Sequence, residues 1–342
     1  MKVCIVKLSS MGDLVQLLPA ITDASHANPN ISFDWVVDER FAEVPLWHPA
    51  VKNIIVAANK RWAKNILKAI LRKDIKKFYN KLRQKEYDVI IDAQGNLKSA
   101  VVTSLISGTK HGLDSLSVRE KGANYAYDVC HRIEKKQLSV NRWRKLFAQA
   151  LNYPLPNTQP NFGLSEKLWP EYNIENKKPY VVFVTNASWT SKLMPVDNWL
   201  NIISLAAESG YQVLLPWGNN AEYEFAKSLA TLEKSAVVLP KLSITQVAGI
   251  IKRSSGAICN DTGLAHIAAS LDVPTVTLYG PTDANLIGAT GSRSKHISAS
   301  GLSCIPCYKR TCAISKDQDA ACLKSLGANN VWSELLKLIS QV

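Results

Sequence analysis

The chain opens with a short apolar run, Val3 to Lys7, that stops at a polar turn, Ser9-Ser10-Met11-Gly12-Asp13, and passes into an apolar-periodic helix from about Leu14 to Ser25. Strand, turn and helix repeated in that order can bury their apolar faces only as a parallel sheet with helices on both sides. The order does repeat. Ile31 to Val37, Ile54 to Ala57 and Asp88 to Asp92 read as further strands with helical stretches between most of them. Between about Tyr153 and Pro179 the alternation lapses into a Pro- and Asn-rich stretch that reads as a linker. A second alternation follows, with strands at Tyr180 to Thr185, Gln212 to Pro216, Ala257 to Cys259 and Thr275 to Tyr279. Helices fall between and beyond them near 196–209, 221–231, 243–253 and 263–271. The 342 residues suffice for two such domains. The expectation is an α/β chain of two Rossmann-like doubly wound domains, 1–160 and 180–342, joined by 161–179, with the last helix a candidate to pack back on the first domain.

Both halves contain a strand-end corner where a doubly wound sheet places its ligands. In the first, Asp13 stands at the start of a helix. G-x-G-x-x-G is absent and an acid there would repel a pyrophosphate, so Asp13 is either a helix cap or a general base beside a hydroxyl substrate. The second corner is Cys259-Asn260-Asp261-Thr262-Gly263-Leu264-Ala265-His266. The free N–H groups at its helix start, with Thr262 and Gly263, suit a diphosphate. Asp261 is better placed for a sugar hydroxyl, and His266, one turn on, for a phosphate oxygen or a structural role. Lys192, after the strand ending at Thr185, offers a cation for a leaving diphosphate.

Charge narrows the partners. Lys and Arg number 41 against 28 Asp and Glu, for a net +13. Residues 1–165 hold 25 basic and 14 acidic side chains, the remainder 16 and 14, so the excess lies in the first half. Lys60 to Lys85 alone contains eleven basic residues and one acid, Asp74. Nucleic acid, an anionic membrane or a small acidic substrate would each suit such a surface. The run reads as an amphipathic helix with Ile66, Leu67, Ile70, Leu71, Phe78 and Leu82 facing inward. Its outer face suits phosphorylated lipid headgroups. For nucleic acid it offers Trp62, Phe78 and Tyr79 as stacking positions but no recognised binding motif.

Seven cysteines, an odd number, suggest reduced thiols in the cytoplasm. Four of them, Cys304, Cys307, Cys312 and Cys322, follow a C-x2-C-x4-C-x9-C spacing. The first pair suits zinc but a second C-x2-C is missing, so free or oxidisable thiols are the stronger reading. Asp317-Gln318-Asp319 has the form of a D-x-D metal motif but lies in a polar loop. The chain has no apolar run of membrane-spanning length, and Lys7 interrupts the first strand too early for a signal peptide.

Taken together, KLSSMGDLVQLLPAITDA, FDWVVDERFAEVPLWHPAV, YDVIIDAQGNLKSA, LLPWGNNAEYEFAKSLA and NDTGLAHIAASLDVPTVTLYGPTD resemble the lipopolysaccharide heptosyltransferases, ADP-heptose-dependent enzymes of the GT-B fold. The resemblance implies a donor, ADP-L-glycero-D-manno-heptose, and an acceptor, Kdo-lipid A or its phosphorylated form, meeting in an interdomain cleft. It implies no metal or other cofactor and no nucleic acid. The enzyme would be cytoplasmic, peripheral at the anionic inner face of the bacterial inner membrane. Asp13 would be the general base of an inverting transfer. Ser188, Lys192, Glu222, Leu242, Asp261, Thr262, Gly263 and His266 would form the donor side, with Glu222 at the ribose and Leu242 near the adenine. Ser10, Arg61, Lys64, Gln94, Lys98 and Arg119 match acceptor-side positions. FDWVVDE and DAQGNLKSA look most like type I, which adds the first heptose. The missing His-Trp after Lys192 departs from type I, and the cysteine-rich tail looks more like types II and III. A type II or III enzyme acting on an already heptosylated core is therefore the alternative.

Overall fold

The computed structural model describes residues 1–164, 167, 169–173, 178–315 and 320–341, and the chain divides into two compact units, Met1–Lys167 and Leu168–Val342. The division falls inside the Pro- and Asn-rich stretch.

The first unit runs β1 (Lys2–Val6), α1 (Met11–Val15), α2 (Leu18–Ala27), β2 (Ser32–Asp38), β3 (Val51–Ala57), α3 (Asn59–Lys64), α4 (Ile66–Leu71), α5 (Asp74–Leu82), β4 (Glu86–Asp92), α6 (Leu97–Ser104), β5 (Ser107–Leu113), β6 (Val129–His131) and α7 (Ser139–Ala150). The second runs β7 (Tyr180–Val184), α8 (Val196–Glu208), β8 (Gln212–Leu215), α9 (Asn220–Leu232), β9 (Ala236–Val238), α10 (Ile244–Lys252), β10 (Gly256–Asn260), α11 (Gly263–Ser270), β11 (Thr275–Tyr279), α12 (Ala284–Ile287), β12 (Ser294–Ser298), α13 (Ala321–Lys324) and α14 (Ala328–Ile339).

Each unit holds one wholly parallel sheet. The orders are β3-β2-β1-β4-β5-β6 and β12-β11-β10-β7-β8-β9, the same topology twice. In such an order the chain reverses direction across the sheet between its first and fourth strands, and a crevice opens at their carboxyl ends. That crevice lies beyond β1 and β4 in the first unit and beyond β7 and β10 in the second. Of these strands β1, β7 and β10 are buried almost throughout and read as apolar runs, as a doubly covered sheet requires, and β4 (EYDVIID) becomes so over its second half.

The units are held by separate cores. Trp35, Phe33 and Phe147 are fully buried in the first, and the Arg144 guanidinium meets the Asp23 carboxylate at 2.6 Å, locking α7 to α2. In the second, Phe183 packs against Trp199 and Trp332, ring centroids 5.8 and 6.5 Å away. The final helix α14 carries Trp332 and lies on α8, β10, β11 and β12 of its own unit.

Three expectations are corrected. The single helix from Leu14 to Ser25 is two, because Pro19 lacks an N–H and sits in the first turn of a new helix, α2. Strands β5, β6, β9 and β12 were not anticipated. β5 (SGTKHGL) and β12 (SKHIS) are polar, and β6 and β9 are only three residues long, so neither periodicity nor apolarity marks them. In the basic run, Phe78 and Leu82 do face the core, but Ile70 and Leu71 are 58% and 80% exposed. The run is not one helix: α4 ends at Leu71, and Lys73, with φ 57°, turns the chain into α5. The side chains of Ile66 and Leu67 lie outside the described residues, as does Asp317-Gln318-Asp319.

Candidate active site

The first crevice is assembled from the ends of β1 and β4. Asp92, fully buried, accepts hydrogen bonds from the Gln94 and Gly95 amides at 2.8 and 3.0 Å and from the Tyr127 hydroxyl at 2.8 Å. Burial pushes its carboxyl upward in pKa, with these bonds opposing the shift. The turn so formed aims the Gln94 Oε1 at β1's exit, where it accepts from the Leu8 and Ser9 amides, both at 3.1 Å. Gln94, expected on the acceptor side, is buried and orders the start of the Ser9–Asp13 loop.

Within that loop Asp13 does two things at once. Its Oδ2 accepts from the Ser10 amide at 2.9 Å and the Ser10 hydroxyl at 2.7 Å, a capping arrangement at the start of α1. Its Oδ1 lies 3.8 Å from the Lys7 ammonium, and the side chain remains 30% exposed. Cap and reactive carboxylate are therefore compatible roles. Lys7 is nearly fully buried, donates to the Ala93 carbonyl at 2.9 Å and lies 4.2 Å from the Trp143 ring centroid. Its pKa is pushed down by burial, with Asp13 and Asp92 pulling the other way. Arg142, also lowered by burial, is drawn back up by Asp13 and donates to the Ser117 carbonyl at 3.1 Å. Sequence reading missed Lys7, Arg142 and Trp143. A lysine ending a buried strand was the available signal for the first; nothing local marks the two on α7.

The other residues expected on the acceptor side are spread along the same carboxyl edge. Gly95, at φ 65° in the left-handed region, presents its carbonyl to the amides of Arg119 and Glu120, which fixes Arg119 beside the corner. Arg119, Lys98 in α6 and Lys64 in α3 are exposed. Arg61 is not available in the same way: its guanidinium bridges Glu39 at 3.1 Å and Asp74 at 3.2 Å.

The second crevice is built alike from β7 and β10. Asn260 ends β10 and donates to the Thr185 carbonyl at 2.7 Å, tying the two strand ends together. Asp261, buried, takes the Lys192 ammonium at 2.6 Å and the Thr282 hydroxyl at 2.6 Å on one oxygen. Asp261, expected at a sugar hydroxyl, thus holds Lys192, whose Nζ also lies 4.7 Å from the Trp189 ring centroid. Thr262 caps α11 in extended conformation, Gly263 opens it, and His266 is buried one turn further on. The first amides of this helix and Lys192 form a cationic corner suited to an anion. Ser188 is exposed in the loop after β7. Glu222 stands apart in α9, its carboxylate accepting from the Gly218 amide and the Asn219 side chain, both at 2.7 Å. Leu242 is half-buried in the neighbouring loop, which the Trp217 indole ties to β8's end through the Leu239 carbonyl at 2.6 Å.

Cys304, Cys307, Cys312 and Cys322 line one cavity of about 80 Å³, and all four thiols are free. Among the described residues no three His, Cys, Asp or Glu groups are placed to hold a metal ion.

This duplicated architecture can be set against known proteins. The family model described as glycosyltransferase family 9 (heptosyltransferase) matches residues 75–317. The chain belongs to this family. A lipopolysaccharide heptosyltransferase 1 from Pseudomonas aeruginosa is 41% identical over 320 residues, covering 93% of this chain and 89% of the relative. The structure of E. coli heptosyltransferase WaaC with ADP superimposes with a TM-score of 0.87 at 38% identity, over 99% of this chain and 100% of that one. WaaC with ADP-2-deoxy-2-fluoro heptose gives 0.84, also at 38%, over 98% and 99%. Family 9 membership makes the chain a glycosyltransferase, and its fold is the GT-B fold of the heptosyltransferases.

Proposed function

We propose that the chain is a type I inner-core heptosyltransferase, moving L-glycero-D-manno-heptose from ADP-heptose to the Kdo of Kdo-lipid A. What supports the reading is the pairing of unlike corners on like sheets: an accessible carboxylate at the first crevice, a cationic helix start at the second. Asp13 takes the proton of the Kdo hydroxyl as its oxygen attacks the anomeric carbon. The bond from that carbon to the diphosphate breaks in the same displacement, inverting the centre and releasing ADP. Lys192, held by Asp261, and the α11 amides meet the charge that develops on the leaving diphosphate. His266 reaches a phosphate oxygen from the same helix, and Glu222 and Leu242 flank the nucleoside. Lys64, Lys98 and Arg119 meet the acceptor's carboxylate and any phosphate on the Kdo.

The diphosphate needs no metal in this scheme, so transfer should continue in excess chelator. The acceptor is a lipid, which places the work at the inner face of the bacterial inner membrane; no helix among the described residues is long and apolar enough to cross it. The test is a transfer assay with ADP-heptose and defined Kdo-lipid A acceptors, with and without Kdo phosphate or a first heptose, read by mass spectrometry. Addition of one heptose to the unheptosylated acceptor is expected. Transfer only onto heptosylated core would move the chain to type II or III.

A further inference from the structure

The helical corner α3–α4–α5 carries a feature that its packing does not explain. Trp62, Ala69, Phe78 and Leu82 anchor it to the sheet, with Trp62 and Phe78 rings 5.4 Å apart. At the outer end, Ile70 and Leu71 project as neighbours, 58% and 80% exposed. A lone exposed aliphatic residue is ordinary, but this pair sits among five exposed cations, Lys68, Arg72, Lys73, Lys76 and Lys77. The one acid in the segment, Asp74, is engaged by Arg61. Two lysines nearer the end of the run are not part of this tip: Lys81 donates to the Ile54 carbonyl at 3.1 Å and Lys85 pairs with Asp34 at 2.7 Å.

The tip is also oriented. Glu39 follows the carboxyl end of β2, and α3 follows that of β3; both strands are parallel to β1. Arg61 clamps Glu39 to Asp74 and so holds the α4–α5 turn at the edge where Ser10 and Asp13 lie.

We infer that Ile70 and Leu71, with the exposed cations that flank them in sequence, form a membrane-docking tip that inserts at the headgroup boundary of an anionic bilayer and brings the Asp13 edge of the first unit to it. Two adjacent aliphatic side chains supply apolar contact, and the flanking cations supply attraction to a negative surface. The complementarity is to a bilayer, because an exposed apolar pair among cations with no acid left to balance them suits an anionic plane with an apolar interior. The inference rests on the proposed function only in taking the acceptor to be lipid-borne.

The experiment uses the full chain and sedimentation with vesicles of equal parts phosphatidylglycerol and phosphatidylcholine, and of phosphatidylcholine alone. Binding to the anionic vesicles is expected, falling about tenfold in the pair I70S/L71S. A fivefold loss for each of Lys68, Arg72 and Lys76 changed to Gln, itself reduced by salt, is the order expected per basic residue. Leu232→Ser, the same change at a 65% exposed position in α9, should leave binding unaltered. Transfer to a soluble, delipidated Kdo acceptor should be unchanged in I70S/L71S, which separates a docking defect from a folding one. Undiminished vesicle binding by I70S/L71S, equal binding to neutral vesicles, or tight RNA binding lost on the same substitutions would overturn the inference. Vesicle binding through the tip without any heptose transfer would refute the proposed function and leave the docking surface standing.

Discussion

Asp13→Asn is the substitution that most directly tests the chemistry, because the structure separates what it removes from what it keeps. One carboxylate oxygen, Oδ2, accepts both Ser10 bonds, at 2.9 and 2.7 Å. An asparagine carbonyl in the same place keeps both, so the cap survives, and unfolding stability should move by less than about 1 kcal/mol. What is lost is the basic oxygen. General-base assistance contributes about 10²- to 10⁴-fold, or roughly 3 to 5 kcal/mol of barrier, and turnover should fall by that factor. The Asn amide also meets the Lys7 ammonium across the 3.8 Å gap, donor to donor, so the buried lysine should lose its proton more readily. Asp13→Ala should lose the same turnover and additionally the Ser10 bonds, with a destabilisation of about 1 kcal/mol. ADP affinity, measured by calorimetry, should stay within about twofold in both, since the residues assigned to the nucleotide lie in the second unit. Turnover of Asp13→Asn above about a tenth of wild type would refute the base assignment. A parallel loss of ADP affinity would show instead that the substitution disturbs more than its own corner.

Lys192→Met should lower kcat/KM by about 10²- to 10³-fold and also destabilise the second unit, because Asp261 keeps only Thr282; adding Asp261→Asn should restore the melting temperature but not the turnover. Asp23→Ala strands the buried Arg144 guanidinium with the Thr158 and Pro156 carbonyls and should cost about 3 to 5 kcal/mol in chemical unfolding, leaving ADP binding intact. His48, buried, accepts the Ala50 amide on Nδ1 and meets Thr22 through Nε2, so it is held neutral, with its pKa lowered to about 4 by burial and, less, by His26 and Lys52. Its folded pKa lies below the ordinary 6.5, so its contribution is complete above pH 6.5 and lost as pH falls toward 4, by about 3 kcal/mol in all. Unfolding from pH 7.5 to 4 should show this slope, and His48→Gln should flatten it.

What could be read from the chain and what could not divide along a physical line. The strands β1, β7 and β10, and β4 over its second half, are covered on both faces, so burial alone forces them into apolar runs that a sequence pattern detects. These same four strands flank the two crevices, which is why the sequence pattern leads to the turns that carry Asp13, Gln94, Lys192 and the Asp261–His266 corner. The edge strands β5, β6, β9 and β12 bury little and are specified by pairing with a neighbour, which leaves no local pattern. Side-chain partners were hidden for a related reason. Those of Asp261, Lys192 and Thr282, are 69 and 21 residues away. The bonds of Gln94 to Leu8 and Ser9 span about ninety residues of sequence. Residue type at a strand end therefore marked the two corners, while the contacts within each corner depend on long-range bonds. Ile70 and Leu71 are the converse case. Their local pattern is that of a buried helix face, and only the turn at Lys73 puts them outside. An apolar pair exposed by a turn, beside cations with no ion-pair partner among the described residues, is a stronger indication of a partner than the segment's charge count alone.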